Sequence, residues 1–223
     1  MVLSFFKSGS GEGDLDHIVA KTITMLGNAR HSFDLATLVL LTDAETSAVE
    51  DDIRDTDDQI NQAEQELRSE LVVHVSVKGT ADIGSVLGLT LVLKKIERIG
   101  DQAKNILELA ISGISLSDRP NIDSMLAERQ ELSSLFTEAA DLLGDPDADE
   151  EAIAQFVNRA NDTLPPIQEV IDGCMVSEQP GSEVVPLAFY YRYLRRIVVN
   201  LIGAVRSATE PVPLMDHHED LDD

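Results

Sequence analysis

The stretch KKIERIGDQAKNI, residues 94–106, decides the fold class of this chain. It follows a helical pattern in which Glu97 and Asp101 stand four residues apart, so both carboxylates project from one helix face. Apolar residues recur around it in steps of three and four, a spacing typical of a helix that packs in a bundle. The members of this apolar stripe are Val86, Leu89, Leu93, Ile96, Gly100, Ala103, Leu107 and Ala110.

Two similar stripes precede this one, from Leu15 to Leu40 and from Val49 to Leu71. A break at Asp118-Arg119-Pro120 separates them from three more helical segments, at residues 122–143, 150–175 and 184–207. The sequence therefore predicts an all-α protein of six long helices, in two tandem three-helix bundles over residues 14–117 and 118–208. Residues 1–13 are predicted to form a flexible N-terminal arm and residues 209–223 a disordered acidic tail.

Four oxygen-bearing side chains are predicted to meet at the seam between the second and third helices. Asp57, Asn61, Glu97 and Asp101 each follow a core position directly, so antiparallel helices would bring them together at the edge of the core. Clustered carboxylates repel one another and need protons, Lys or Arg partners, or a cation. Two interpretations follow: a hard-metal site, or a solvated acidic face with pairs such as Glu97 with Lys94 and Asp101 with Lys104.

Composition excludes several functional classes. The chain has 41 acidic and 17 basic residues, a formal net charge of −24, which argues against a nucleic-acid partner. It has no apolar run near the ~20 residues that span a bilayer, so the cytoplasm, including the membrane surface, is the expected location. It also lacks a Gly-rich phosphate loop, a nucleophile elbow and a His pair at ligand spacing, so we expect no enzymatic activity.

The motif ERIGD at residues 97–101, followed by Ala103 and Asn105-Ile106, resembles the repeated signature of the PhoU family, phosphate-uptake regulators built from two three-helix bundles. The resemblance implies a divalent or trivalent metal ion, such as iron or zinc, on Asp57, Asn61, Glu97 and Asp101. It also implies a non-catalytic homodimer that contacts a phosphate transporter and a sensor histidine kinase at the cytoplasmic membrane face. The alternatives are an accessory of a different transporter, a stand-alone regulator, and a metal-dependent hydrolase.

The second repeat departs from this motif. Arg195 stands where Glu97 would be, Val199 where Asp101 would be, and Pro166 where Asn61 would be. We therefore expect no second metal cluster, and we expect Arg195 to form an ion pair with Asp162 or Glu169. Pro165-Pro166 is predicted to distort the fifth helix, because each proline removes an amide donor and its ring crowds the preceding turn.

Overall fold

The computed structural model describes residues 14–42 and 44–209, and these residues contain helices and no strand. The α-helices are α1 Asp14–Leu41, α2 Glu50–Lys78, α3 Ile83–Ile111, α4 Ile122–Gly144, α5 Glu150–Asp162, α6 Leu164–Met175 and α7 Gly181–Thr209. The predicted all-α class is confirmed. None of the described helices is long and apolar enough to cross a membrane. The predicted arm, residues 1–13, and the predicted tail from residue 210 onward lie outside the described residues.

The fifth predicted helix is broken into α5 and α6 at Thr163. The prolines at 165 and 166 occupy the first turn of α6, where a missing N–H costs little because that turn has no intrahelical acceptor. The predicted distortion at Pro165-Pro166 thus takes the form of a break, and the six predicted helices are present as seven α-helical segments within the described residues. The last helix includes Thr209, a buried residue that was predicted from the sequence to lie at the start of the tail.

The three apolar stripes of the first bundle form its core. Every member of the α3 stripe is buried, and so are most members of the stripes on α1 and α2. Helix α3 packs against α1, α2 and α7, so it lies at the centre of the molecule. Burial of this apolar surface is the main favourable contribution to folding.

The two bundles pack on each other along two helix pairs. Where α3 crosses α7, a Cβ on Gly88 would lie 2.6 Å from the carbonyl oxygen of Ser207, so this close approach requires glycine. Where α1 meets α4, Arg129 forms an ion pair with Asp34 at 3.0 Å and donates a hydrogen bond to Thr37 Oγ1 at 3.1 Å. The first contact is steric and the second is polar.

Helices α2 and α3 approach closely at the level of the predicted site. A Cβ on Gly100 would lie 3.1 Å from Ile60 Cδ1, tighter than an ordinary van der Waals contact. Ile60 lies on α2 between Asp57 and Asn61, and Gly100 lies on α3 directly before Asp101. The missing side chain at Gly100 therefore lets the two polar pairs come together.

The turn that joins α2 to α3 is fixed at its base. His74 Nε2 lies 3.1 Å from Asp82 Oδ2, and both side chains are buried. Gly79 ends α2 with a φ of 80°, a left-handed conformation that glycine adopts without strain. These contacts hold α2 and α3 in one antiparallel register, and that register sets which residues face each other along the seam.

Candidate functional site

The structure brings the four predicted site residues together at the seam between α2 and α3. We call Asp57, Asn61, Glu97 and Asp101 the carboxylate cluster. Asn61 Nδ2 donates a hydrogen bond to Asp57 Oδ2 at 3.4 Å. Burial, followed by repulsion from Glu97 and then from Asp57, raises the pKa of the Asp101 carboxyl. The three carboxylates are thus close enough for their charges to interact across the two helices.

Asp57 is bound by a lysine from the opposite helix. Its side chain is almost fully buried, and Lys104 Nζ of α3 donates a hydrogen bond to Asp57 Oδ2 at 2.7 Å. This hydrogen bond is the largest of the causes that raise the pKa of Lys104. The sequence suggested that Lys104 pairs with Asp101 on its own helix, and that pairing is wrong. The long lysine side chain crosses the seam, because Asp57 is the more buried carboxylate and gains more from a counter-charge.

Glu97 has a lysine neighbour on its own helix. Lys94 Nζ lies 2.7 Å from Glu97 Oε2, which confirms the pair suggested by the sequence. The contact is an ion pair, and among the described residues the buried Oε2 accepts no hydrogen bond. The charge of Glu97 is therefore opposed, while one acceptor oxygen is left unsatisfied.

The cluster carries one negative charge in excess. It holds the three carboxylates of Asp57, Glu97 and Asp101, against the two ammonium groups of Lys94 and Lys104. Within the described part of the chain, Asp101 is the cluster carboxylate that forms no ion pair. The pKa of Asp101 is raised because its ionised carboxylate is half-buried and lies near the like charges of Glu97 and Asp57. Asp101 is thus the cluster carboxylate with no ion-pair partner among the described residues, and the charges of Lys94 and Lys104 oppose its own only from a distance.

The donor chemistry of the cluster suits a hard cation, but the arrangement of its atoms does not. Carboxylate and amide oxygens are the ligands that such ions prefer. However, residues 14–42 and 44–209 contain no group of three His, Cys, Asp or Glu side chains placed to hold a metal ion. Lys104 and Lys94 lie against the oxygens that a metal would need. As arranged, the residues do not fit a metal, and the metal role of Asp57, Asn61, Glu97 and Asp101 stays a prediction.

Arginines continue this ion-pair pattern along the seam on both sides of the cluster. Towards the start of α2, Arg54 pairs with Glu50 at 3.0 Å and with Glu108 of α3 at 3.2 Å. Further along α2, Arg68 pairs with the buried Glu64 at 2.9 Å. Our sequence reasoning missed these pairs. The i,i+4 spacing of Glu50 with Arg54 and of Glu64 with Arg68 could have revealed two of the three.

The second repeat forms no equivalent cluster. Arg195 is half-buried, and in the described structure it makes no ion pair with Asp162 or Glu169, both of which are exposed. The expected pairing of Arg195 is therefore wrong. Helix α6 turns Ile167 and Ile171 towards the core, and Glu169, two residues from each, lies on the solvent side. Apolar burial thus fixes a helix rotation that keeps this carboxylate away from α7.

The fold defines the class of protein to which the chain is similar: an all-α protein of two packed three-helix bundles. Residues 22–110, which include the whole carboxylate cluster, match the family model of the PhoU domain. The crystal structure of PhoU from Pseudomonas aeruginosa superposes with a TM-score of 0.73 and 21% sequence identity, covering 89% of this chain and 97% of that chain. No curated protein matches the sequence. The resemblance to the PhoU family is confirmed for residues 22–110, and the fold of the chain is similar to that of PhoU.

A second surface feature lies near the turn between α2 and α3. Six large apolar side chains are exposed there, and we call them the hairpin tip: Val72, Val73, Val77, Ile83, Leu87 and Leu91. Val73 and Val77 also line a groove against His17 and Ile18 at the start of α1. Apolar groups that cluster on a surface often mark a site of contact with another molecule. The hairpin tip is therefore the candidate contact surface of the first bundle.

Proposed function

We propose that the protein is a PhoU-like, non-catalytic regulator of phosphate uptake, which acts by contacting a phosphate transporter at the cytoplasmic face of the membrane. The observation that carries this proposal is the match of residues 22–110 to the PhoU domain, within a chain of the same overall fold. A peripheral location at the membrane surface follows from the proposed partner. The homodimer and the contact with a sensor histidine kinase stay predictions that follow from the resemblance.

Surface chemistry supports an action by binding. The side chains of Val72, Val73 and Val77 are 67%, 61% and 73% exposed, so a partner that covers them would gain roughly 25 cal/mol for each Å² of apolar surface removed from water. The net charge of −24 would speed encounter with a basic surface and make association sensitive to salt. We therefore propose that charge steers the protein to its partner and that the hairpin tip makes the apolar contact.

Co-purification from native membranes tests this proposal. The variant Val73→Ser with Val77→Ser removes apolar surface from the hairpin tip at little cost in stability, because both positions are exposed. The matched control is Met175→Ser with Val176→Ser, two side chains that are 77% and 83% exposed at the α6–α7 connection. We expect the wild type and the control to retain the phosphate transporter and the tip variant to lose it.

Three outcomes would contradict parts of the proposal. Equal retention by the tip variant would show that the hairpin tip is not the contact. Capture of a transporter for another solute would replace the phosphate assignment with the role of an accessory for that system. If the wild type retained no transporter, the binding proposal itself would fail.

A further inference from the structure

We infer that Lys104 and Lys94 take the place of a metal ion in the carboxylate cluster, so that a cation can bind there only after displacing Lys104. The inference concerns the site alone and does not depend on the phosphate assignment. The oxygen ligands of the carboxylate cluster are of the kind that hard metal ions prefer, but the described residues contain no group of three acidic, His or Cys side chains placed to hold a metal. The lysines account for that mismatch.

Lysine is rare in this chain, and its positions are informative. The sequence contains six lysines against 41 acidic residues, and three of the six lie on α3, at 94, 95 and 104. Two of these three contact the carboxylate cluster. With 17 basic residues for 41 acidic ones, most carboxylates of the protein have no basic side chain of their own to pair with. The cluster, by contrast, has two ammonium groups within 2.7 Å of its oxygens.

Asp57 offers the clearest evidence. It is 5% exposed, and its Oδ2 accepts hydrogen bonds from Lys104 Nζ at 2.7 Å and from Asn61 Nδ2 at 3.4 Å. Both donors therefore bind the same oxygen of Asp57. A metal bound to this oxygen would have to break the lysine bond first, because an ammonium ion and a metal ion cannot share one lone-pair direction at contact distance.

Lys94 performs the same role at the other end of the cluster. It lies 2.7 Å from Glu97 Oε2, a buried oxygen that has no hydrogen-bond donor. The two lysines therefore form ion pairs with Glu97 and Asp57, and Asp101 is the third carboxylate of the cluster. Together they reduce the charge that would attract a cation from three negative charges to one. The two lysines thus leave fewer carboxylate oxygens free to bind a metal ion, and they weaken the electrostatic attraction between the cluster and a cation.

The test measures the affinity of the metal-free protein for Mn²⁺, an ion that prefers oxygen ligands and reports its binding by electron paramagnetic resonance. Lys104→Met removes the ammonium group and keeps the apolar stem. We expect Mn²⁺ to bind this variant at least about tenfold more tightly than the wild type, because a charge-assisted hydrogen bond no longer has to be broken. Unfolding in urea gives a second measurement, in which Mn²⁺ should stabilise Lys104→Met more than the wild type.

Two control variants separate the role of Lys104 from a general change in charge. Lys21→Met removes a lysine that also makes a 2.7 Å interhelical ion pair, with Glu70, away from the cluster, and it should bind Mn²⁺ as the wild type does. Lys104→Arg keeps the positive charge and should also show no gain. If Lys104→Met does not fold, Lys94→Met takes its place with the same expectation. Equal Mn²⁺ affinity in the wild type and the Met variant, or an equal gain in Lys104→Arg or Lys21→Met, would overturn the inference.

Discussion

Asp57→Asn and Asp101→Asn are predicted to change stability in opposite directions. Both substitutions remove one negative charge from the carboxylate cluster and keep the shape of the side chain. Asp57 has Lys104 as its partner at 2.7 Å, whereas Asp101 has neighbouring carboxylates and no ion pair among the described residues. We therefore expect Asp57→Asn to destabilise the protein and Asp101→Asn to stabilise it.

The magnitudes follow from these contacts. A hydrogen bond to a charged group contributes about 1.5–3 kcal/mol, and Lys104 is partly exposed, so Asp57→Asn should cost about 1.5–2 kcal/mol. Like charges four residues apart on a helix cost about 0.2–0.5 kcal/mol. Asp101 faces Glu97 at that spacing and Asp57 across the seam, and screening limits both effects. The expected gain from Asp101→Asn is roughly 0.5–1 kcal/mol at low salt.

The assay is urea denaturation at pH 7 in a chelating buffer of low ionic strength, repeated at lower pH. The pKa of Asp101 is raised in the folded protein, so the stability that its protonated form contributes is present at acidic pH. That stability is lost as the pH rises through the raised pKa. The advantage of Asp101→Asn over the wild type should therefore be full at pH 7 and should shrink as the pH falls towards the ordinary carboxyl range.

The refuting result is a loss of stability in both variants. If Asp101→Asn destabilised the protein as Asp57→Asn does, Asp101 would have a favourable partner in the folded state. The charge balance described for the cluster would then be wrong. Added salt should reduce only the part of the gain that comes from repulsion, because ions do not screen the cost of burying Asp101; a gain that grew with salt would contradict the argument.

Two further predictions concern the packing of the bundles, and urea denaturation tests both. Gly88→Ala should destabilise the protein by about 1–3 kcal/mol, because the new Cβ would lie 2.6 Å from a backbone oxygen of α7. The control Gly27→Ala has open space around its Cβ and should stabilise the protein by up to about 1 kcal/mol. Equal effects of the two substitutions would contradict the close approach of α3 and α7. Arg129→Met should cost about 1–3 kcal/mol, because it breaks the ion pair with Asp34 and the hydrogen bond to Thr37, whereas Arg192→Met, which removes no ion pair in the described structure, should change stability by less than about 0.5 kcal/mol.

Helical periodicity predicted the fold because most of the stabilising burial lies along the helix stripes themselves. The α3 stripe, from Val86 to Ala110, is buried along its whole length, and the predicted break at residues 118–120 lies between α3 and α4. The prolines at 165 and 166 also predicted a distortion of the fifth helix, which the structure shows as a break, because the chemistry of proline acts locally. These features can be predicted without knowing which helices pack against each other.

Contacts between helices were harder to predict. Lys104 can reach Asp101 on its own helix or Asp57 across the seam, and only the register of α2 and α3 decides between them. The failed pairing of Arg195 has a similar cause, because helix rotation in the second bundle follows apolar burial and leaves Glu169 in solvent. The role of Gly88 at the α3–α7 contact could not be predicted either, since nothing in the sequence identifies its neighbour as Ser207.

The most direct test of the regulatory proposal is the rate of phosphate uptake in native cells that lack this gene, grown with abundant phosphate and under phosphate starvation. The proposal predicts that deletion changes uptake or phosphate-responsive gene expression in at least one condition, and that the wild-type gene restores it. Unchanged uptake and expression in both conditions would contradict a role in phosphate regulation and would leave the PhoU fold without that function.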